Sequence, residues 1–325
     1  MRYVEANGVR ISAVGLGCWQ FGSRDWGYGK DYASTTAVEL VHAALDLGVN
    51  LIDTAEVYAR GVSETIVGRA LVGRRDDAFV ATKLLPVMPT AGRVEEHARL
   101  SALRLGIDRI DLYQIHWPNP TVPLSRQMEG MRRVLQSGLV AHAGVSNFSA
   151  KRWAAAEAEL GAPILTNQVQ YSLLWRSPDA RNVPHAQAND RIVIAYSPLA
   201  KGLLGGRYDT EHLPTGPARS MDSLCLPENV ERAMPVIHAV RRIAETYDAT
   251  PSQVALAWLL SHPNVVAIPG ASSLDQLRRN IEAADLELKP DDLEELTSES
   301  DRFERVSPPA MARSWFRNRR SRSAR

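Results

Sequence analysis

A repeated rhythm constrains the fold of this chain more than any other feature. Eight short apolar runs, VGLGCW, NLIDT, AFVATK, IDLYQIH, VAHAGVS, LTNQVQY, IVIAYSP and VVAIPG, alternate with longer amphipathic stretches. Runs of this length, rich in Val and Ile, read as buried strands, and the stretches between them read as helices. At 325 residues, length alone allows one large barrel or two ordinary domains. Eight strand–helix units without a linker or a shift of composition predict a single parallel (β/α)8 TIM barrel over residues 1–306. A doubly wound sheet would usually have fewer strands, and the Gly-x-Gly-x-x-Gly turn that opens its first helix is absent.

Local signals agree with this register. Asn7-Gly8 between two short runs predicts an N-terminal β-hairpin with a type I′ turn. Thr36-Ala-Val-Glu39, Thr250-Pro-Ser-Gln253 and Ser273-Leu-Asp-Gln276 all have the spacing of a helix capping box. Pro251 falls at a first helical position, where its missing N–H costs nothing. From about Leu203 to Glu228 the chain has Gly, Pro, Arg and Asp but little periodicity, and this stretch follows a strand. Such a loop gathers at the C-terminal face of a barrel, where it is expected to act as a lid over bound ligand or to be a plain surface insertion.

Charge and cysteine content narrow the function classes. The formal net charge of +1 gives no general bias toward nucleic acid or an anionic membrane. The positive charge is uneven, however: residues 307–325 form an Arg-rich tail, with MARSWFRNRRSRSAR at its end. This tail reads first as a solvated extension or one through which subunits dock into an oligomer; nucleic-acid binding is the lesser reading, since one terminal cluster is not a basic face. Cys18 and Cys225 are far apart and lack metal-ligand spacing, which favours a reducing compartment. The N-terminus lacks the apolar run of a signal peptide, and no stretch approaches membrane-spanning length. The expected location is cytoplasmic, with neither a metal nor a membrane as partner.

Four residues at predicted strand ends carry the groups that a hydride-transfer site needs. They are Asp53 in NLIDTAEVY, Tyr58 on the loop that follows, Lys83 in FVATK and His116 in DLYQIHWP. In a barrel these positions converge on one mouth. Reducing a carbonyl takes a hydride to carbon and a proton to oxygen; no side chain supplies a hydride, so a nicotinamide must. A phenol titrates near 10, and a neighbouring ammonium is expected to lower it toward neutrality, where donation is easier. Tyr58 beside Lys83 fits that role, Asp53 would keep the ammonium charged and aimed, and a neutral His116 can donate to the substrate oxygen. Taken singly, each residue has a structural explanation: a helix-capping Asp, a solvated Lys, a satisfied buried His. Four together, each at the right end of its strand, point to a small-molecule carbonyl substrate.

With these residues in place, the chain resembles the aldo-keto reductase family. The matching segments are GVNLIDTAEVY, FVATK, DLYQIHWP, GVSNFS, NQVQYSLL, AYSPLAKGLL and IPGASSLDQLRRNIEA. The resemblance implies a (β/α)8 barrel, NADP(H) as cofactor, and reduction of an aldehyde or ketone through the Asp-Tyr-Lys-His tetrad, with Tyr58 as proton donor. It implies that Ser146, Asn147 and Gln168 hold the nicotinamide carboxamide and that Tyr196 stacks on its ring. Ser197, Leu199 and Lys201 would line the pyrophosphate. Gly270, Ser272, Gln276, Arg279 and Asn280 would grip the adenosine and its 2′-phosphate, where the helix opening at Ser273 also offers its N-terminus. Trp19 and Trp117 match walls of the carbonyl pocket, and the loop with Trp26 and Tyr28 is expected to overhang the same mouth.

The chain departs from the family pattern in three places. Many relatives carry Arg or Lys where this chain has Gly270, Ala271 and Ser272, a loss that Arg278 and Arg279 could compensate. Ala59 replaces the usual Gly after the catalytic tyrosine, and the Arg-rich tail falls outside the pattern altogether. A second reading stays open, in which the barrel is an NADPH-binding regulatory or sensor subunit.

Overall fold

The computed structural model describes residues 1–29, 33–220 and 222–306. The basic tail expected over 307–325, and any role of it in oligomerisation, therefore lies outside the described residues. Strands β1 (Tyr3–Ala6) and β2 (Val9–Ser12) form the expected antiparallel hairpin. At its turn Asn7 and Gly8 have φ of 49° and 72°, the two left-handed positions that a type I′ turn requires.

Eight parallel strands follow in one sheet: β3 (Leu16–Gly17), β4 (Leu51–Asp53), β5 (Phe79–Leu84), β6 (Ile110–Ile115), β7 (Val140–Ser146), β8 (Ile164–Gln170), β9 (Ile192–Tyr196) and β10 (Val265–Ala267). Each falls within one of the apolar runs or extends one residue beyond it, and they pair in chain order. The two edges meet through a parallel bridge between Val14 and Ala267, with Gly15 N donating to Ala267 O, so the sheet curls back on itself. Gly17 marks how closely the edges approach, because a Cβ there would stand 2.6 Å from Ile268 O. This arrangement matches the (β/α)8 architecture expected from the sequence.

Among the described residues the helices are α1 (Ser34–Asp46), α2 (Val62–Ala70), α3 (Ala91–Leu105), α4 (Leu124–Gln136), α5 (Ala150–Leu160), α6 (Asn182–Ala188), α7 (Pro217–Ser220), α8 (Pro227–Thr246), α9 (Pro251–Leu260), α10 (Leu274–Glu282) and α11 (Pro290–Asp301). Only one of the three expected capping boxes is complete. Thr250 accepts from Gln253 N while Gln253 Oε1 accepts from Thr250 N. Ser273 accepts from Gln276 N, but the Gln276 side chain accepts from Ser272 N instead of Ser273 N. The Thr36 box does not form: α1 starts at Ser34 after Ala33, which places Thr36 inside the first turn.

The core has an inner and an outer part. Inside the sheet, Leu51, Leu112, Leu165, Ile192 and Val266 form one cluster, and the hairpin adds Ala6, Val9 and Ile11 to it. The hairpin thus covers the end of the sheet at which several of its strands begin. Larger clusters fill the space between sheet and helices, including Trp153, Phe148 and Trp258. Each such fully buried side chain contributes roughly 1.5–3 kcal/mol relative to exposure. The packed interior leaves the opposite end, where strands give way to loops, to hold the site. No described helix is long and apolar enough to cross a membrane.

Candidate active site

Strained backbone gathers at one end of the sheet. Of the eleven described non-glycine residues with positive φ, seven (Ala59, Arg60, Met88, Asn147, Ser197, Ala200 and Lys201) lie in segments that follow strands. A left-handed residue other than glycine costs of order 1 kcal/mol and persists only where its surroundings hold it. A cavity of about 1050 Å³ opens on the same face, lined by Asp53, Tyr58 and His116 at one end and by Gly270, Ser272 and Arg279 at the other.

The four residues singled out in the sequence meet at the inner end. Lys83 is wholly buried on β5, and its ammonium donates to Asp53 Oδ1 at 2.7 Å, Thr54 O at 2.8 Å and Tyr58 Oη at 3.2 Å. An ammonium has three protons, so these bonds use all of them. Asp53 Oδ2 accepts from Gln168 Nε2 at 2.7 Å. Among the described residues Tyr58 Oη accepts from Lys83 and its own proton has no protein acceptor, leaving that proton for whatever enters the cavity.

Burial and charge set the protonation states. Burial opposes the Lys83 ammonium, but the Asp53 carboxylate and the Tyr58 oxygen outweigh it and hold its pKa above the usual lysine value. Burial pushes Asp53 up as well, while Lys83 and Gln168 pull it back. Tyr58 corrects the expectation from sequence: burial raises its pKa above that of an ordinary phenol, and the lowering by Lys83 does not compensate. The physical reason is that desolvation penalises the phenolate and Asp53 cancels part of the ammonium's field. The phenol consequently keeps its proton through the neutral range.

His116 is buried, and burial followed by the Lys83 charge lowers its pKa to about 2. The ring is neutral at every ordinary pH, as the sequence argument required. Trp117 lies flat against it, with centroids 3.7 Å apart and planes 6° apart. A histidine that titrates lower in the folded than in the unfolded chain gives up stability as pH falls below about 6.5 toward 2. His116→Gln is therefore expected to show a shallower loss of urea-unfolding stability between pH 6.5 and pH 4 than the wild type. Equal slopes would mean that His116 accepts a proton in the folded state.

Next to this group, β7 and β8 present a second set. Asn147 Nδ2 donates to His116 O and to Ser146 Oγ, each at 3.0 Å, and Asn147 Oδ1 accepts from Tyr196 Oη at 2.9 Å. Ser146 Oγ donates to Gln168 O at 2.8 Å. Asn147, Gln168 and Tyr196 line the cavity, whereas Ser146 is fully buried behind them and is absent from its wall. Ser197, Leu199 and Lys201 also line it, as do Gln276 and Asn280. Trp19 and Trp117 stand at the mouth, both more than a third exposed. The Lys201 ammonium sits 4.1 Å from the Trp19 ring centroid and 3.9 Å from Asp222. The backbone of Trp26 belongs to a short helix, Arg24–Trp26, and its side chain lies outside what is described.

Part of the wall comes from residues that carry no distinguishing motif in the sequence. Gln20 lines the cavity and reaches across the mouth to donate from Nε2 to Ala271 O at 2.9 Å. Arg207 and Arg219 line its outer half from the stretch after β9. That stretch, which shows little periodicity in sequence, contains short helices at Ala200–Gly205, Ser223–Cys225 and α7, and α7 approaches the Arg24–Trp26 turn. Its Arg content was the only signal available.

Comparisons with known proteins identify the family and the fold. The profile of the Aldo/keto reductase family matches residues 13–301. The chain is 50% identical over 310 residues to the uncharacterized oxidoreductase Rv2298 of Mycobacterium tuberculosis, covering 94% of this chain and 95% of that one. It is 33% identical to the aldo-keto reductase YhdN of Bacillus subtilis, with 94% and 95% covered. Among solved structures it is similar to a glycerol dehydrogenase from Gluconobacter oxydans, at a TM-score of 0.83 and 30% identity, covering 94% of this chain and 98% of the other. An aldo-keto reductase from Klebsiella pneumoniae, solved with NADP and acetate, aligns at a TM-score of 0.76 and 28% identity over 94% of this chain and 99% of its own. Fold, site geometry and these matches lead to one conclusion: the chain belongs to the aldo/keto reductase family.

Proposed function

We propose that this protein is an NADP(H)-dependent oxidoreductase that reduces an aldehyde or ketone to an alcohol, with Tyr58 as the proton donor. The observation that carries this reading is the phenol of Tyr58, which accepts from Lys83 and, among the described residues, has no acceptor for its own proton at the cavity wall.

The cavity fits the cofactor. Its volume lies just above the range of about 300–1,000 Å³ usual for ligand sites, as an elongated dinucleotide needs. Lys201, Arg207, Arg219 and Arg279 line its outer part, where phosphates would be neutralised. The first turn of α10 adds the positive end of a helix dipole. Asn147 and Gln168 would hold the carboxamide, with Tyr196 against the ring and Ser146 buttressing both from behind. Ser197, Leu199 and Lys201 would follow the pyrophosphate; Gly270, Ser272, Gln276, Arg279 and Asn280 would surround the adenosine. When bound, the nicotinamide supplies the hydride.

The chain's own residues then do the rest. Tyr58 gives its phenolic proton to the carbonyl oxygen. Lys83 holds the oxygen left behind, and Asp53 and Thr54 fix Lys83. Neutral His116 donates an N–H to the same carbonyl oxygen. Trp19 and Trp117 wall the pocket with apolar surface and suit a flat or apolar substrate.

Titration of tryptophan fluorescence with NADPH and with NADH tests the cofactor reading. NADPH is expected to bind more tightly. Arg279→Ala should weaken NADPH by about tenfold or more and leave NADH nearly unchanged, since a charged hydrogen bond contributes about 1.5–3 kcal/mol. Failure of both nucleotides to bind would remove the enzyme reading.

A further inference from the structure

The loop carrying Tyr58 is bent in an unfavourable way. Ala59, Arg60 and Gly61 follow with φ of 46°, 57° and 88°, three left-handed residues in succession of which only the last is glycine. Left to itself, such a turn would relax toward right-handed geometry and carry Tyr58 with it. The bond at stake is also the longest of the three that Lys83 makes, 3.2 Å to Tyr58 Oη.

A group of polar side chains outside the cavity wall holds this turn at both ends. Before it, Glu56 is partly buried, with its side chain 9% exposed, and accepts from Leu85 N at 2.5 Å and from His97 Nδ1 at 2.7 Å. Leu85 lies two residues beyond Lys83, so this contact ties the Tyr58 loop to the strand that carries Lys83. After the turn, Glu64 is wholly buried in the first turn of α2; one of its oxygens accepts from Thr82 Oγ1 at 2.6 Å and the other from Arg104 Nε at 2.5 Å. The Arg104 guanidinium also lies 3.8 Å from Glu56, so a single cation on α3 joins the two carboxylates. Arg104 lies against the turn as well: a Cβ on Gly61 would stand 2.6 Å from its Cδ.

Neither Glu56, Glu64 nor Arg104 lines the cavity, so any effect of theirs on chemistry passes through another residue. We propose that Glu56, held by Leu85 N–H, His97 and Arg104, is a positioning residue that keeps Tyr58 Oη at Lys83 Nζ against the strain of the left-handed turn. This inference rests on the reading of Tyr58 as proton donor. Its force comes from how steeply proton transfer depends on geometry, where a misplacement of about 1 Å can cost about a hundredfold.

The test uses the full-length protein carrying Glu56→Ala, Glu56→Gln, and Glu56→Ala combined with Ala59→Gly. Glu56→Ala is expected to lower kcat at least tenfold, with KM for the carbonyl compound and the Kd for NADPH within twofold of wild type. Glu56→Gln keeps an acceptor for Leu85 N–H and should recover most of the rate. Ala59→Gly in the Glu56→Ala background should restore about fivefold, because glycine enters the left-handed region without penalty. A purely structural role for Glu56 would give neither that rescue nor a separation of kcat from KM.

Amide hydrogen exchange over residues 57–62 provides a readout independent of turnover. It should accelerate in Glu56→Ala and return toward wild type in Glu56→Gln. An unchanged kcat, or unchanged exchange, in folded Glu56→Ala overturns the proposal. If Glu56→Ala does not fold, His97→Ala removes one arm at the partly exposed side; about threefold lower kcat and faster exchange would support the positioning role, and wild-type values for both would overturn it. A wild-type protein that binds NADPH but reduces no carbonyl compound sinks the Tyr58 reading alone, and exchange then decides the role of Glu56.

Discussion

Replacing Lys83 with methionine is expected to abolish turnover and to destabilise the fold by about 3–5 kcal/mol, the usual result of stranding one charge of a buried pair. The Lys83 side chain is wholly buried and that of Asp53 is 2% exposed, so the carboxylate would meet little water to replace its lost partner. Gln168 Nε2 would still donate to it, a single neutral donor in place of an ammonium. Thr54 O and Tyr58 Oη would lose their donor in the same step. Urea unfolding of Lys83→Met, of Asp53→Leu and of the double variant checks the account. The double variant should regain much of the lost stability, since well-packed apolar residues can replace a buried ion pair at little cost, while remaining inactive. A Lys83→Met protein as stable as wild type would show that the pair is not charged in the folded state.

Tyr58→Phe should behave in the opposite way, with a large kinetic effect and a small structural one. The ring keeps its packing beside Trp19 and His116, and Lys83 loses only the weakest of its three bonds. A positioned general acid contributes about 10²–10⁴ in rate, so kcat should fall by that factor. NADPH binding should not change, because the groups proposed to hold the cofactor do not depend on the phenol. Burial holds the phenol above its ordinary pKa, so the wild-type kcat should be level through neutral pH and fall only on the alkaline side. Residual activity near the wild-type level in Tyr58→Phe would move proton donation to His116 or to water.

How far the sequence reached depended on whether a feature was local. The eight strands were legible because each is an apolar run whose partners follow in chain order, and the I′ turn because Asn7-Gly8 tolerates two positive φ values. That Asp53, Tyr58, Lys83 and His116 come together was legible because residues at one end of successive strands must converge. Thr36 failed as a cap because α1 starts earlier, at Ser34, and nothing in the local spacing distinguishes the two starts. The direction of the Tyr58 pKa was misjudged because it depends on how much water the fold removes, which no spacing reveals. Glu56 and Arg104 were invisible because their partnership spans two loops and a helix end, and each alone resembles any surface charge.

The most direct measurement is transfer of deuterium from C4-deuterated NADPH to a flat aromatic aldehyde, in the wild type and in Tyr58→Phe. The expected result is carbonyl-dependent consumption of NADPH, with the label on the carbinol carbon of the alcohol, and its near disappearance in Tyr58→Phe while NADPH still binds. Binding of NADPH without transfer to any of a panel of aldehydes and ketones, or full transfer in Tyr58→Phe, would contradict the account.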